Sequence, residues 1–273
     1  MIRSARQRVI ALLATRWPGR LYAAIGLFAL ATAPVVRRAM TVRQLCAVFP
    51  HLRQADAVRV ARELRCCTLK SRALGAGLAR ARGEPVYPPV TVDAGFADVC
   101  GPAILISFHV GPVGALGEVI GRLPGEVLAM HRMEWAFPSN VTELYVEQSA
   151  AAAAAAFHRA VITLRRGGCV AMLTDGPGPE VCLLGRRTPF ERGPYALARL
   201  TGAPIVPLLA HWDGASVDVV CGETIPALQD EAAMAAAAAA ALERHLHAHP
   251  AEIDEHLLAT LSRAPAADQR SAR

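Results

Sequence analysis

Ala103-Ile104-Leu105-Ile106-Ser107-Phe108-His109-Val110-Gly111-Pro112 is the stretch on which the reading of this chain turns. Ala103–Phe108 is a mostly apolar run of strand length, too short for a buried helix. A histidine follows it at once. Pro112 then opens a predicted helix, Pro112–Leu123, at a first-turn position where its missing N–H costs nothing. Strand, short loop and helix in that order form the repeating unit of an α/β domain.

Working outward, the same alternation recurs. Ala150–Arg166 is Ala-rich and helix-favouring, and Cys169–Thr174 reads as a buried strand. Tyr195–Thr201 is a short helix stopped by Gly202, and Ile205–Ala210 is a further apolar strand. Val90–Val92 precedes the set, and Val217–Val220 is expected at its edge. The pattern implies a mostly parallel central sheet flanked by helices on both faces. Residues 41–82 read as helices, on the spacing of Val42, Leu45, Val48 and Leu52, and Gly83–Pro89 with its three prolines ends that region. A helix from about Asp230 to His247 closes the fold. These elements suggest one domain over 41–262, with 1–40 as a separate segment and 263–273 as a disordered polar tail.

Charge divides the 273 residues unevenly. Residues 1–82 carry sixteen Lys and Arg against only Asp56 and Glu63, a net of +14, and the remainder is −8, giving +6 in all. A basic head on a mildly acidic body calls for an anionic partner. Nucleic acid is the weakest choice, because neither interleaved aromatics nor a recognition helix accompanies the arginines. Leu21–Val36 is uncharged and lies between Arg20 and Arg37-Arg38. Its 16 residues would make a helix of roughly 24 Å, short of the ~30 Å hydrocarbon core. A buried core helix and a signal peptide are the alternatives, but flanking arginines favour a segment lying at anionic headgroups. The seven cysteines show no C-x-x-C spacing, and their odd number suggests reduced thiols in a cytoplasm-like compartment.

Four blocks carry a resemblance. Ile104–Gly111 resembles the first signature block of the lipid A late acyltransferases, within the lysophospholipid acyltransferase-like superfamily. Leu164-Arg165-Arg166-Gly167-Gly168-Cys169-Val170-Ala171-Met172-Leu173-Thr174-Asp175-Gly176 is similar to a later block of helix, glycine turn, strand and terminal Asp. Leu183–Phe190 resembles the Phe-x-Gly-Arg segment. Gly193–Pro207 resembles the helix and closing Val-Pro strand. The order and spacing of the set agree over about 110 residues, and the helices at 41–82 show a vaguer likeness to the family's N-terminal region. The resemblance implies an acyltransferase that moves a fatty-acyl group from coenzyme A or an acyl-carrier protein to a hydroxyl or amine of a lipid or small acceptor. It also implies the cytoplasmic face of a bacterial inner membrane. The thioester is a substrate, and neither a metal nor another cofactor is called for.

In that family the histidine is the general base and a nearby acid orients it. The resemblance therefore assigns His109 as base and Asp175 to a functional acidic block. Gly111 lets a substrate approach the backbone. Arg186, Arg187 and Arg192 are expected to hold a phosphopantetheine or lipid phosphate. The family's Asp or Glu five positions after the histidine is replaced here by Gly114. Glu118, Ser107 and Asp175 are the available substitutes. Without one, the chain is a catalytically inactive acyl- or lipid-binding member of the same fold, and a basic membrane adaptor is a third possibility. A first-turn helical site at 114 should accept an Asp without steric cost. His131-Arg132 falls where the family contacts substrate. His245-x-His247-x-His249, spaced i, i+2, reads as surface rather than as a metal site.

Overall fold

In the computed structural model, the described residues are 21–22, 24–25, 35–79, 85–99, 101–132, 136–146 and 149–264. Among the described residues the named elements begin with α1 (Val35–Val48) and α2 (Gln54–Leu78), followed by β1 (Val90–Val92) and β2 (Ala103–Ser107). Next come α3 (Leu116–Ile120), β3 (Val127–His131), β4 (Val141–Tyr145), α4 (Ala150–Arg165) and β5 (Cys169–Leu173). The hairpin β6 (Asp175–Leu183) and β7 (Arg186–Phe190) leads to α5 (Gly193–Thr201), β8 (Ile205–Asp213) and β9 (Ser216–Cys221). Helices α6 (Glu231–Ala248) and α7 (Glu255–Arg263) finish the fold.

Seven strands form one sheet in the order β1-β9-β8-β2-β5-β3-β4, and β6-β7 form a separate ribbon. Strand β2 runs parallel to both β5 and β8, and β5–β3 and β3–β4 are also parallel pairs. Only β8–β9 is antiparallel within the large sheet. The expected α/β architecture is therefore present. Every residue of β2 is buried, as a central strand covered on both faces must be. Its alternating side chains enter two cores. Ile104 and Ile106 join Leu45, Leu64, Leu128 and Leu242 on one face. Ala103 and Leu105 join Leu74, Leu78, Val119 and Trp212 on the other. Helix α2 serves both cores, its first half on one face and its last two turns on the other.

Three features depart from what the sequence pattern suggests. The predicted helix Pro112–Leu123 is a 3-10 turn, Val113–Ala115, followed by the five-residue α3. Gly114, Gly117 and Gly121 weaken helix formation there. Strand β9 is not an edge, because β1 pairs parallel outside it. Asp175-Gly176-Pro177-Gly178, which reads as a turn, instead lies in β6, with a register irregularity between Asp175 and Glu180. Strand β4, mostly exposed and lacking an apolar run, gives no strand signal of its own.

Most of the apolar segment 21–36 lies outside the described residues, as does most of 1–40. Its described residues pack on the domain: Tyr22 is buried and its ring sits 4.9 Å from that of Trp212, with Ile25 against the same core. No helix among the described residues is long and apolar enough to cross a membrane. The tail beyond Ala264 also lies outside them.

Candidate functional site

Strands β2, β5 and β3 end side by side, with Ser107 level with Leu173 and Met130 level with Met172. Past these ends come His109, Thr174 and His131-Arg132. Parallel sheets bind ligands at this carboxyl edge. Phe108 fixes the end of β2: it is buried and its ring lies 5.1 Å from that of Phe190. A tight turn follows, in which the Val110 N–H donates to the Phe108 carbonyl at 2.7 Å. The turn leaves His109 exposed between buried neighbours.

Gly111 is explained by packing. Its φ is +65°, and a Cβ there would lie 2.2 Å from the Ala210 carbonyl oxygen. Its N–H donates to the Glu252 carbonyl at 2.9 Å, and its own carbonyl accepts from the Ser71 hydroxyl at 3.3 Å. The backbone that closely approaches this glycine is that of β8.

His109 lines two cavities. One, of about 370 Å³, also holds His131, Arg132, Glu191, Arg192 and Phe157. The other, of about 260 Å³, is bounded by Cys67, Ser71, Gly75, Gly111 and Glu252. The first shares Met130, His131, Met172 and Leu173 in its wall with an apolar cleft of about 70 Å³, which Gly114, Gly117 and Phe137 help to enclose. A chamber with two arginines and a largely apolar wall thus lies against an apolar slot, with the histidine at the chamber wall.

Position 114 faces an apolar wall that suits an acid poorly. Gly114 is buried, and a Cβ on it would stand 2.9 Å from Leu78 Cδ1 and 3.5 Å from Leu74 Cδ2. The expectation that Asp fits there fails because α2 packs directly on this turn. The helix N-terminus expected beside His109 is also missing, and the Val110 and Gly111 N–H groups are already used within the protein. Glu118 pairs with Arg122 at 3.2 Å and lines neither histidine cavity. Ser107 is buried on the apolar cleft. Asp175 begins β6 opposite Phe190, directly after Thr174, whose N–H donates to the Ser107 carbonyl at 2.9 Å.

The three arginines separate. Arg186 donates to the carbonyls of Ala264, at 2.9 Å, and Ala47, tying the ribbon to the C-terminus of α7 and to α1. Arg187 pairs with Glu180 across the ribbon. Only Arg192 reaches the His109 cavity, where it is bound to Glu231 at 2.6 Å. Arg132 joins it there and pairs with Glu191 at 3.2 Å.

Two carboxyl groups missed in the sequence share cavities with His109. Glu191 does so through the ribbon, its N–H held by the Thr174 carbonyl. Glu252 arrives from the far end of the chain, in a 3-10 turn at Pro250–Glu252. It is buried, and its Oε1 accepts from the Trp212 N–H at 2.8 Å and from the Cys67 thiol at 3.3 Å, while Oε2 has no partner. Burial raises its carboxyl to about 7, opposed by the Trp212 and Cys67 hydrogen bonds and the charge of Lys70. The sequence offers no signal for it, since 142 residues separate it from His109. The surface reading of His245-x-His247-x-His249 fails for His245, which is only 6% exposed.

No family model matches the chain, and no curated protein matches it. Among solved structures, the 1-acyl-sn-glycerophosphate (LPA) acyltransferase PlsC from Thermotoga maritima aligns with it. The match covers 87% of this chain and 98% of that one, at 13% identity and a TM-score of 0.42.

Proposed function

We propose that the chain is an acyltransferase that moves a fatty-acyl group from a coenzyme A or acyl-carrier thioester to a hydroxyl or amine, with His109 as general base. The observation carrying this reading is the position of His109 at the carboxyl edge of the sheet, on a chamber that holds Arg132 and Arg192 and lies against an apolar slot. The ordered blocks from Ile104 to Pro207, similar to those of the lipid A late acyltransferases, support it. His109 takes the acceptor's proton as its oxygen or nitrogen attacks the thioester carbonyl. The tetrahedral adduct collapses, the C–S bond breaks, and the departing thiolate recovers that proton. Arg132 and Arg192, at the chamber wall, provide charge for a phosphate on donor or acceptor. A lipid acceptor would place the reaction at the cytoplasmic face of a bacterial inner membrane, where the +14 head of the chain has an anionic surface to bind.

The orienting acid is assigned to Glu252 in preference to Asp175, because Glu252 has an unpartnered buried oxygen beside the His109 turn. A second reading, a non-catalytic acyl- or lipid-binding protein, is favoured by the closed space at Gly114. Thiol release from long-chain acyl-CoA and acyl-carrier protein, with and without lipid acceptors, separates the two. His109→Ala should lower turnover by about 10²–10⁴-fold, the range of general-base catalysis, with the melting temperature unchanged. Glu252→Gln should reduce kcat and shift its pH profile, while Asp175→Asn should do neither. A His109→Ala protein with full activity would falsify the assignment. Wild-type protein that binds acyl thioester without turning it over would leave the binding reading.

A further inference from the structure

Behind the 3-10 turn that carries Glu252, three histidines meet. His245 lies in the last turn of α6 and His249 caps that helix, so the two share a face at i, i+4 spacing. His211 comes from β8. The His211 and His249 rings stack with centroids 3.7 Å apart and 20° between their planes, and His245 sits 5.7 Å and 5.0 Å from them. One ring nitrogen from each of the three lies within 4.8 Å of the others.

Two ring nitrogens of this cluster are buried without a hydrogen-bond partner: Nε2 of His245 and Nδ1 of His211. Orphaned buried polar atoms cost stability and need a cause. The Ala210 backbone favours a proton on His245, and donation from Nδ1 leaves Nε2 as a bare lone pair. On His211, Nε2 faces the Asp218 carboxylate at 3.8 Å, which leaves the lone pair on Nδ1. A carboxylate or carbonyl behind these two imidazoles is the outer-shell pattern of histidines that bind metals.

We propose that His211, His245 and His249 form a binding site for one divalent transition-metal ion, of which zinc best suits a three-imidazole set. Water completes a tetrahedron. Zn–N bonds of about 2.0–2.1 Å imply ligand nitrogens roughly 3.4 Å apart, so nitrogens now within 4.8 Å of one another draw together on binding, and the stacked His211 and His249 rings turn apart so that their lone pairs converge. The ion ties the end of α6 to β8, one residue before the turn that presents Glu252 beside Gly111. Its role is that of a clamp, and the site stands whether or not the chain transfers acyl groups.

The test uses untagged full-length protein stripped with EDTA. Cobalt titration should give a saturable 1:1 complex with the visible bands of a tetrahedral site, and zinc should displace it and raise the melting temperature. Second-shell changes already cost about 10–100-fold in affinity, so loss of a ligand in His211→Ala or His249→Ala should exceed roughly 100-fold. Far-UV circular dichroism checks that both variants, at partly exposed positions, are folded. His247→Ala should bind as wild type does, since that ring packs with His51 and Phe49 instead. No stoichiometric binding by the wild type overturns the proposal, as does binding that survives both ligand variants or fails in His247→Ala.

Discussion

Glu252 combines burial, an unpartnered oxygen and a carboxyl raised to about 7, so protonation favours its native environment. Between its ordinary pKa of 4.5 and about 7, the folded chain holds a proton that the unfolded chain has lost. Stability therefore falls as pH rises through that window, by up to about 3 kcal/mol at 1.36 kcal/mol per unit. Urea unfolding of EDTA-treated protein at pH 4.5, 6 and 7.5 should show this decline, and Glu252→Gln should flatten it. A wild-type stability independent of pH over that range rules out the assignment. Two glycines carry separate expectations. Gly111→Ala combines a left-handed φ with a collision against the Ala210 carbonyl, and should cost roughly 2–4 kcal/mol. Gly114→Asp buries a carboxylate against Leu74 and Leu78 and should cost about 3 kcal/mol or more without raising activity. Gly114→Ala meets only the flexible end of Leu78 and should be much milder in the same unfolding assay.

Helix α6 is an element with distinct duties at its two ends. Its core is built from alanines, so little side-chain entropy opposes its formation. Asp230 caps the start, accepting from the Ala232 and Ala233 N–H groups at 2.9 and 3.2 Å. Glu231, in the first turn, binds both Arg192 and Arg199. Those hydrogen bonds hold its carboxyl below the usual range, so this contribution is lost when pH falls through its lowered value. Asp230→Ala should cost about 1 kcal/mol, read from thermal or urea unfolding, and should leave metal affinity at the opposite end intact. Glu231→Gln releases Arg192 into the His109 chamber. If a phosphate of the acyl donor binds there, the variant should lower KM for acyl-CoA without lowering kcat. An unchanged KM separates Arg192 from donor binding.

On the scale of the whole molecule, the charge asymmetry and the packing of Tyr22 meet. Tyr22 covers Trp212, whose indole N–H donates to Ser71 at 3.0 Å, so removing residues 1–40 would strip a side chain from the core. Removing 1–20 is the better test of the basic head. Full-length protein should sediment with anionic vesicles more strongly than a chain starting at Leu21, and the difference should shrink in high salt as screening shortens the Debye length. Equal binding by both proteins would dismiss the basic head as a membrane-binding element.

The α/β class and the strand that delivers His109 are legible in the amino-acid sequence. Both follow from local patterns: a short apolar run is a buried strand, and Ala150–Arg165 and Gly193–Thr201 are helices by propensity and by caps at Ser149 and Gly202. It also marked His109, because the end of an apolar strand is readable from its neighbours. It could not show that Gly114 lies under Leu78, that Arg186 is spent on backbone carbonyls, or that β9 is covered by β1, since each depends on segments far away in the chain. Glycine weakening cut the helix after Pro112 down to a turn, and β4, bare of apolar alternation, became visible only through its pairing with β3. The tertiary structure alone brought Glu252 to the His109 turn and His211 to His245 and His249. Those contacts are closed by packing β8 and α6 on the rest of the sheet, and no spacing along the chain encodes a distance created by folding.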